Sequence, residues 1–181
     1  MGRLTTAGVI VGGALAGLGA FNTWLGWQAG PLESALPGNG RFYHWSLGGQ
    51  IANVYYKRSE GDGAPVVLIH GIDAAASSSE MRHIFAGLSE HHRVYALDLL
   101  GFGLSDRPAR RYRTTDYLDL IEGFLRDVVR APAAVVASSL SAAYAVTVAA
   151  RSPELIDSLL LVCPTGLERL ADPAEPWRQY L

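Results

Sequence analysis

One short stretch, residues 133–142 (AAVVASSLSA), constrains the fold of this chain more than any other. Its apolar run Ala134-Val135-Val136 is typical of a strand buried inside a parallel sheet. The serines that follow lead at once into a second apolar run, beginning at Ala142, whose composition favours a buried helix. Because almost no loop separates the two runs, the backbone must bend sharply at the serines. The stretch therefore predicts an α/β protein in which a strand and a helix meet at a serine-bearing turn.

Ser139 occupies the position in this turn that best suits a nucleophile. It precedes the N-terminus of the predicted helix, where backbone N–H groups and the helix dipole favour negative charge. The small residues Ala137 and Ser141 stand two positions before and after it, which matches the small-x-Ser-x-small pattern of a nucleophile elbow. Gly is the usual residue at both flanking positions and is absent from both. Ser138 and Ser141 are the alternative nucleophiles if the register differs by one or two residues.

The composition is that of a single globular domain. The chain has 181 residues, of which 49% are hydrophobic, and its formal net charge is −2. These values exclude a disordered chain and give no reason to expect a nucleic-acid partner. Cys163 is the sole cysteine, so no internal disulfide or cysteine metal cluster can form, and burial in an apolar run is its expected role. No metal site and no cofactor are predicted.

The N-terminal region, residues 1–30, is predicted to be a membrane anchor or a signal. Residues 4–32 contain no charged side chain, and residues 7–25 form an apolar segment close to the roughly 20 residues that cross a bilayer as a helix. Trp24 and Trp27 follow at the membrane interface of such a span. A cleaved signal peptide is the alternative. Arg3 alone sets the orientation, which favours placing the domain on the extracytoplasmic side of the membrane.

The remaining chain is interpreted as a linker, residues 31–40, followed by one domain, residues 41–181. Two alternating segments around Gly48-Gly49 predict a β-hairpin. Further buried strands are predicted over residues 66–69 and 93–98, and a last strand over residues 158–163. Helices are predicted after a cap at Ser77 or Ser78, and over residues 114–130 with a threonine cap at position 114 or 115. The four arginines between them are expected to form a solvated loop: Arg107, Arg110, Arg111 and Arg113.

Four segments in order carry a resemblance to a known family: PVVLIHG, YALDLLGFGLSD, VVASSLSAAYA and LLLVCPTGL. Together they resemble the first two-thirds of an α/β-hydrolase fold enzyme, over about residues 41–168. The resemblance implies a mostly parallel, twisted sheet with helices on both faces. It also implies that the backbone N–H groups of Ile72 and Leu140 form an oxyanion hole beside Ser139. His70 and Gly71 match the family's His-Gly pair, in which the histidine shapes the loop and is not the catalytic base.

The sequence departs from the family pattern after Ser139. A serine hydroxyl is a weak nucleophile at neutral pH and needs a base, normally a histidine held by a carboxylate. In this family the order is serine, then acid, then histidine. No histidine follows Ser139, and the acids after it are expected to be surface charges: Asp157, Glu168, Asp172 and Glu175. The sequence is therefore interpreted as the N-terminal part of a longer hydrolase.

The resulting functional hypothesis is a membrane-anchored serine hydrolase of ester-type bonds, in which Ser139 forms an acyl-enzyme. Its expected partners are a small, apolar ester substrate and the membrane. The chain alone is expected to be inert, and the last strand, left at a sheet edge, predicts self-association. The alternative hypothesis is a non-catalytic, membrane-tethered binding module with a hydrolase-like fold.

Overall fold

The computed structural model describes residues 34–166 and, before them, residues 17, 19–21, 23 and 24. The chain divides into two units, Met1–Glu33 and Ser34–Leu181. In the first unit the described residues are helical and exposed, and the rings of Phe21 and Trp24 stack with their centroids 5.9 Å apart. All elements discussed below belong to the second unit.

The predicted membrane localisation is wrong. No helix among the described residues is both long enough and apolar enough to traverse a bilayer. The predicted span, residues 7–25, lies mostly outside the described residues. Absence of charge and sufficient length, the two properties on which the prediction rested, are necessary for a span but are shared by other apolar segments.

Within residues 34–166, the second unit contains six strands and three α-helices in α/β order. The strands are β1 (Asn39–Leu47), β2 (Gln50–Arg58), β3 (Pro65–Ile69), β4 (Arg93–Leu97), β5 (Ala133–Ser138) and β6 (Ile156–Val162). The helices are α1 (Arg82–Leu88), α2 (Thr114–Phe124) and α3 (Leu140–Arg151). Short helical turns precede α1 at Ser78–Met81 and β6 at Pro153–Leu155. The predicted hairpin, strands and helices are thus all present, with ends shifted by one or a few residues. The predicted burial of Cys163 is wrong: it is exposed just after β6, a strand in which no residue is buried.

The strands form one sheet in the order β1-β2-β4-β3-β5-β6. β2 pairs antiparallel with β1 and with β4, whereas β3 pairs parallel with β4 and β5, and β5 pairs parallel with β6. The sheet is therefore mostly parallel, as predicted. β3 and β5 are adjacent in the middle of the sheet, so the loop after β3 and the turn after β5 leave the sheet at the same edge.

Two apolar clusters cover the two faces of the sheet. The larger cluster joins one face to α2 and α3 through side chains such as Val67, Leu97, Phe124 and Val135. The smaller cluster joins the other face to α1 through Leu68, Val94 and Phe85. Because adjacent strand residues point to opposite faces, both clusters draw on the same short apolar runs. This explains why those runs are continuous in the sequence and do not alternate.

The predicted helix over residues 114–130 differs from the structure at both ends. Its N-cap is Arg113, not a threonine, and the Arg113 N–H donates to the Asp116 carboxylate over 2.9 Å. After Phe124 the helix widens into a π-type turn, Leu125–Val129, which ends at Arg130 in the left-handed conformation. The Arg130 N–H bonds the Leu125 carbonyl five residues back, over 2.9 Å. Apolar spacing alone does not distinguish such a widened turn from a regular helix.

Candidate active site

Ser139 lies in the tight turn between β5 and α3. Its backbone angles, φ 54° and ψ −127°, are unusual for a residue with a side chain. The surroundings hold this geometry: the Ser139 N–H donates to the Val162 carbonyl over 2.9 Å, and the Ser139 carbonyl accepts from the Ala142 N–H over 3.1 Å. Strained backbone of this kind persists only where neighbouring structure fixes it, and it is concentrated at functional sites. The conformation is that of a strand-to-helix elbow carrying a partly exposed serine.

The two flanking residues are fully buried. Ala137 and Ser141 each have 0% of their surface exposed. The space on either side of the turn is therefore filled, which is the steric reason for small residues at both positions. The Ser141 Oγ atom has no hydrogen-bond partner within the described part of the chain. A buried, unpartnered hydroxyl cannot meet a substrate, so this burial disfavours Ser141 as the nucleophile. Ser138 belongs to β5, where it pairs with Val162.

The loop after β3 approaches the serine directly. A Cβ atom added to Gly71 would lie 3.4 Å from the Ser139 Cβ and 3.9 Å from the Ser138 Oγ. The loop carries Ile72, and the turn carries Leu140, so the two N–H groups of the predicted oxyanion hole follow adjacent parallel strands. Neither N–H donates a hydrogen bond to an acceptor in residues 34–166. Both are therefore available to a substrate oxygen, which is what an oxyanion hole requires.

Glu80 accepts a hydrogen bond from another backbone donor of this loop. Its Oε2 atom accepts the Gly71 N–H over 3.1 Å. The carboxylate reaches the loop from the helical turn that precedes α1, whose Ser77 Oγ caps the backbone by accepting the Ser79 N–H. Sequence analysis missed this contact because it joins residues nine positions apart across an irregular loop. The bond fixes Gly71, the residue immediately before Ile72.

His70 tethers two loops and is fully buried. Its Nε2 atom accepts the Leu99 N–H over 3.0 Å, and its Nδ1 atom lies 2.6 Å from the Gly71 carbonyl oxygen. Since a backbone N–H can only donate, the ring proton resides on Nδ1. Burial lowers the pKa of His70 below its ordinary 6.5, although the Gly71 carbonyl and the nearby carboxylates act in the opposite direction. Both ring nitrogens are thus engaged with backbone, which leaves none for a proton transfer at Ser139.

Asp98 organises the glycine loop that lies behind His70. Its carboxylate accepts the Ser78 N–H over 2.6 Å and the Leu104 N–H over 2.8 Å, and 2% of its surface is exposed. Gly103 passes so close that any Cβ there would collide with the Asp98 carboxylate. The loop is thereby closed around a buried charge and holds Leu99 against His70. This support role follows from contacts that sequence spacing does not reveal.

No general base contacts the serine within residues 34–166. The Ser139 Oγ makes no hydrogen bond to a described side chain, and His70 is committed as described above. His44 contacts the Asn53 Oδ1 on the neighbouring strand over 2.8 Å, and His83 lies exposed on α1. Three of the acids named earlier lie outside the described residues: Glu168, Asp172 and Glu175. The described site therefore combines a turn-held serine and two free N–H groups without a base.

Comparison with known proteins identifies the family. The family model for the alpha/beta hydrolase fold matches residues 64–181, so this chain belongs to that family. The 2-(acetamidomethylene)succinate hydrolase of Mesorhizobium japonicum is 35% identical over 105 residues, covering 58% of this chain and 37% of the relative. The haloalkane dehalogenase of Agrobacterium fabrum is 30% identical over 104 residues, covering 58% of this chain and 34% of the relative.

A solved structure agrees with this assignment. The serine hydrolase involved in carbazole degradation, the CarC enzyme, superposes with a TM-score of 0.64 at 30% identity, covering 71% of this chain and 49% of that one. The chain thus spans between about a third and a half of the length of these relatives. The relatives are hydrolytic enzymes by name, and they differ in what their names say they act on.

Proposed function

We propose that this chain carries the nucleophile and the oxyanion hole of a serine hydrolase acting on ester-type bonds. A general base takes the proton of the Ser139 hydroxyl while Oγ attacks the carbonyl carbon, and the negative charge that develops on the carbonyl oxygen is held by the Ile72 and Leu140 N–H groups. The ester C–O bond then breaks, the leaving alkoxide takes up that proton and departs as the alcohol, and acyl-Ser139 remains. The single observation that carries the proposal is the strained turn of Ser139 between β5 and α3, next to the Gly71 loop. Such donors contribute roughly 3 kcal/mol each to transition-state stabilisation in hydrolases.

The residue type at position 139 supports ester chemistry over dehalogenation. An aspartate at the elbow would form an ester with the carbon that loses its halide, whereas a serine hydroxyl forms an acyl ester from a carbonyl substrate. The dehalogenase relative therefore supports the shared fold. The printed names of the two curated relatives indicate different substrates, so we propose the reaction class and leave the acyl group open.

We further propose that the 181-residue chain lacks catalytic turnover by itself. Deprotonation of the Ser139 hydroxyl needs a base, and loss of triad function costs several orders of magnitude in rate. His70, the histidine of the loop beside Ser139, already uses both nitrogens. We also propose self-association through β6, which within residues 34–166 pairs only with β5.

External imidazole provides the experiment. The chain is incubated with p-nitrophenyl acetate, with and without imidazole, and the site of acetylation is read by mass spectrometry. We expect acetyl-Ser139 to accumulate only when imidazole supplies the missing base. The matched controls are Ser139→Ala, which should abolish labelling, and Ser138→Ala and Ser141→Ala, which should retain it.

Two outcomes would contradict these proposals in different ways. Turnover without imidazole, well above that of Ser139→Ala, would mean that a histidine already present reaches the serine. Absence of acetyl-Ser139 in imidazole, with the chain folded by circular dichroism, would reject Ser139 as the nucleophile. That second result would favour a binding module that keeps the hydrolase fold without its chemistry.

A further inference from the structure

An arginine-lined cavity lies on the sheet far from the candidate active site. Its volume is about 400 Å³, and its walls come from the ends of three strands and from the π-type turn after α2. The arginines that line it are Arg41, Arg58, Arg93 and Arg130. We call these four residues the arginine cluster. Among the residues that the structure describes, none with a carboxylate side chain lines the cavity.

Strand register explains how the arginines of the sheet converge. Arg41 of β1 is opposite Tyr56 of β2, and Arg58 of β2 is opposite Tyr95 of β4. Residues two apart on a strand share a face, so Arg58 lies on the face of Tyr56, and Arg93 on that of Tyr95. Both tyrosines belong to the larger apolar cluster and form the floor of the cavity.

The fourth arginine arrives from a different element. Arg130 ends the π-type turn in the left-handed conformation, with φ 59°, and its Nε atom donates to the Asp127 carbonyl over 2.6 Å. The turn brings Val128 and Val129 to the cavity wall beside it. The arginine cluster is therefore assembled by the tertiary fold from four separate segments.

No ion pair within the described part of the chain neutralises the positive charge of the cluster. The ion pairs among the described residues are Arg110–Asp116, Arg126–Glu122 and Arg151–Asp119, and none includes a member of the cluster. The C-terminal end of a helix contributes about half a negative charge. Asp127 adds one more nearby, and its carboxylate accepts the Tyr43 hydroxyl over 2.6 Å. The four positive charges of the arginines exceed these negative charges, about one and a half in all, by more than two elementary charges.

Two of the guanidinium groups also have unmet hydrogen-bonding capacity. The Nε atoms of Arg58 and Arg93 are buried and lack a partner within the described part of the chain. Both side chains are half-buried, so their positions are constrained by packing. An arginine held in place and short of acceptors is a pre-organised donor for phosphate, which guanidinium groups bind through paired N–H bonds.

We propose that the arginine cluster binds a small molecule carrying at least two phosphate groups. One phosphate would leave most of a 400 Å³ cavity empty, whereas four arginines around one concavity match several linked anionic groups. Arg93 begins β4, and Ser139 follows the end of β5, so the two sites lie at opposite ends of the parallel strands. The site is therefore separate from the proposed hydrolase chemistry.

Isothermal titration calorimetry of the full chain with pyrophosphate tests this site. We expect one-to-one binding that is at least tenfold tighter than binding of inorganic phosphate. Arg58→Gln and Arg93→Gln should each weaken it by about tenfold or more, since each removes a charge-assisted pair of hydrogen bonds. Arg111→Gln is the matched control, because Arg111 is an exposed arginine outside the cluster. Ser139→Ala should bind as the parent chain does.

Other results would overturn the proposal. Absence of pyrophosphate binding would do so, as would equal weakening by Arg111→Gln, which would indicate adsorption to any arginine. Tighter binding of a short DNA duplex than of pyrophosphate would assign the surface to nucleic acid. If Arg58→Gln or Arg93→Gln lowers the melting temperature, the exposed member Arg41, changed to Gln, decides the question through the same titration.

Discussion

The Nε2 atom of His70 accepts the Leu99 N–H over 3.0 Å and so joins the loop after β3 to the loop after β4. The bond requires an unprotonated Nε2, and burial lowers the pKa of His70 below 6.5 accordingly. One side chain thereby fixes both the Gly71 loop beside Ser139 and the start of the glycine loop. The position of the predicted oxyanion donor Ile72 depends on the neutral form of this histidine.

Acidification should therefore destabilise the domain through His70. Below pH 6.5 the unfolded chain takes up a proton that the folded chain resists, so stability is fully present above that pH and is lost as the pH falls. The loss should be steepest at about 1.4 kcal/mol per pH unit. The measurement is urea unfolding at a series of pH values between about 5 and 8, the range in which histidine ordinarily titrates.

A pair of histidine variants separates this effect from general acid sensitivity. His70→Asn should lower stability at neutral pH by about 1–3 kcal/mol, because a buried N–H loses its acceptor, and should flatten the dependence on pH. His83→Asn, at an exposed position on α1, should leave the curve unchanged. A curve for His70→Asn that stays parallel to that of the parent chain would show that another group controls acid unfolding.

The backbone of Ser139 should store strain that glycine releases. At φ 54° and ψ −127° a residue with a Cβ atom pays about 1–3 kcal/mol, whereas glycine has no Cβ to clash. We expect Ser139→Gly to be more stable than Ser139→Ala by about 1 kcal/mol, after the greater flexibility of glycine in the unfolded chain is counted. Thermal and urea unfolding of the two variants give the difference. Equal stabilities would mean that the turn relaxes when the serine is removed.

Gly103 offers a test of the loop that supports His70. Gly103 and Gly48 both have left-handed backbone, with φ of 50° and 58°, but only Gly103 faces an obstacle, the Asp98 carboxylate. Gly48→Ala should cost about 1–2 kcal/mol, the penalty for left-handed backbone alone. Gly103→Ala should lower the free energy of unfolding by that amount and by the further energy of the clash with Asp98, about 3 kcal/mol or more in total. Unfolding free energies for the two variants isolate the clash, and similar losses would show that Asp98 moves aside.

The sequence predicts most of the local structure because its signals are local. The apolar run before Ser139 marks β5, and Gly48-Gly49 mark the hairpin turn, where both residues have positive φ. The serine turn itself follows from the abrupt change between strand and helix signals. The sequence also predicts that His70 shapes its loop, and in the structure His70 contacts Leu99 and Gly71.

The remaining features arise from contacts between distant segments. The arginine cluster joins Arg41, Arg58 and Arg93 through the order of strands and adds Arg130 from the π-type turn, an arrangement that no spacing in the sequence encodes. The N-cap at Arg113 depends on a backbone bond to Asp116, although threonine is the better cap by composition. The membrane prediction is wrong because it rests on composition over residues 7–25, whereas no helix among the described residues is long and apolar enough to span a bilayer.

The outer edge of β6 should mediate self-association. Within residues 34–166 this strand pairs only with β5, and Leu160 on it has 59% of its surface exposed. Apolar edge strands with free backbone groups are templates for pairing between chains, and a charge on the strand disfavours such pairing. Sedimentation velocity over a range of concentrations should show association of the parent chain and a shift toward monomer for Leu160→Lys. Ile51→Lys is the matched control, because Ile51 is 65% exposed on β2, a strand already paired along its length with β1. A parent chain that stays monomeric, or an equal shift for both variants, would exclude β6 as the surface of association.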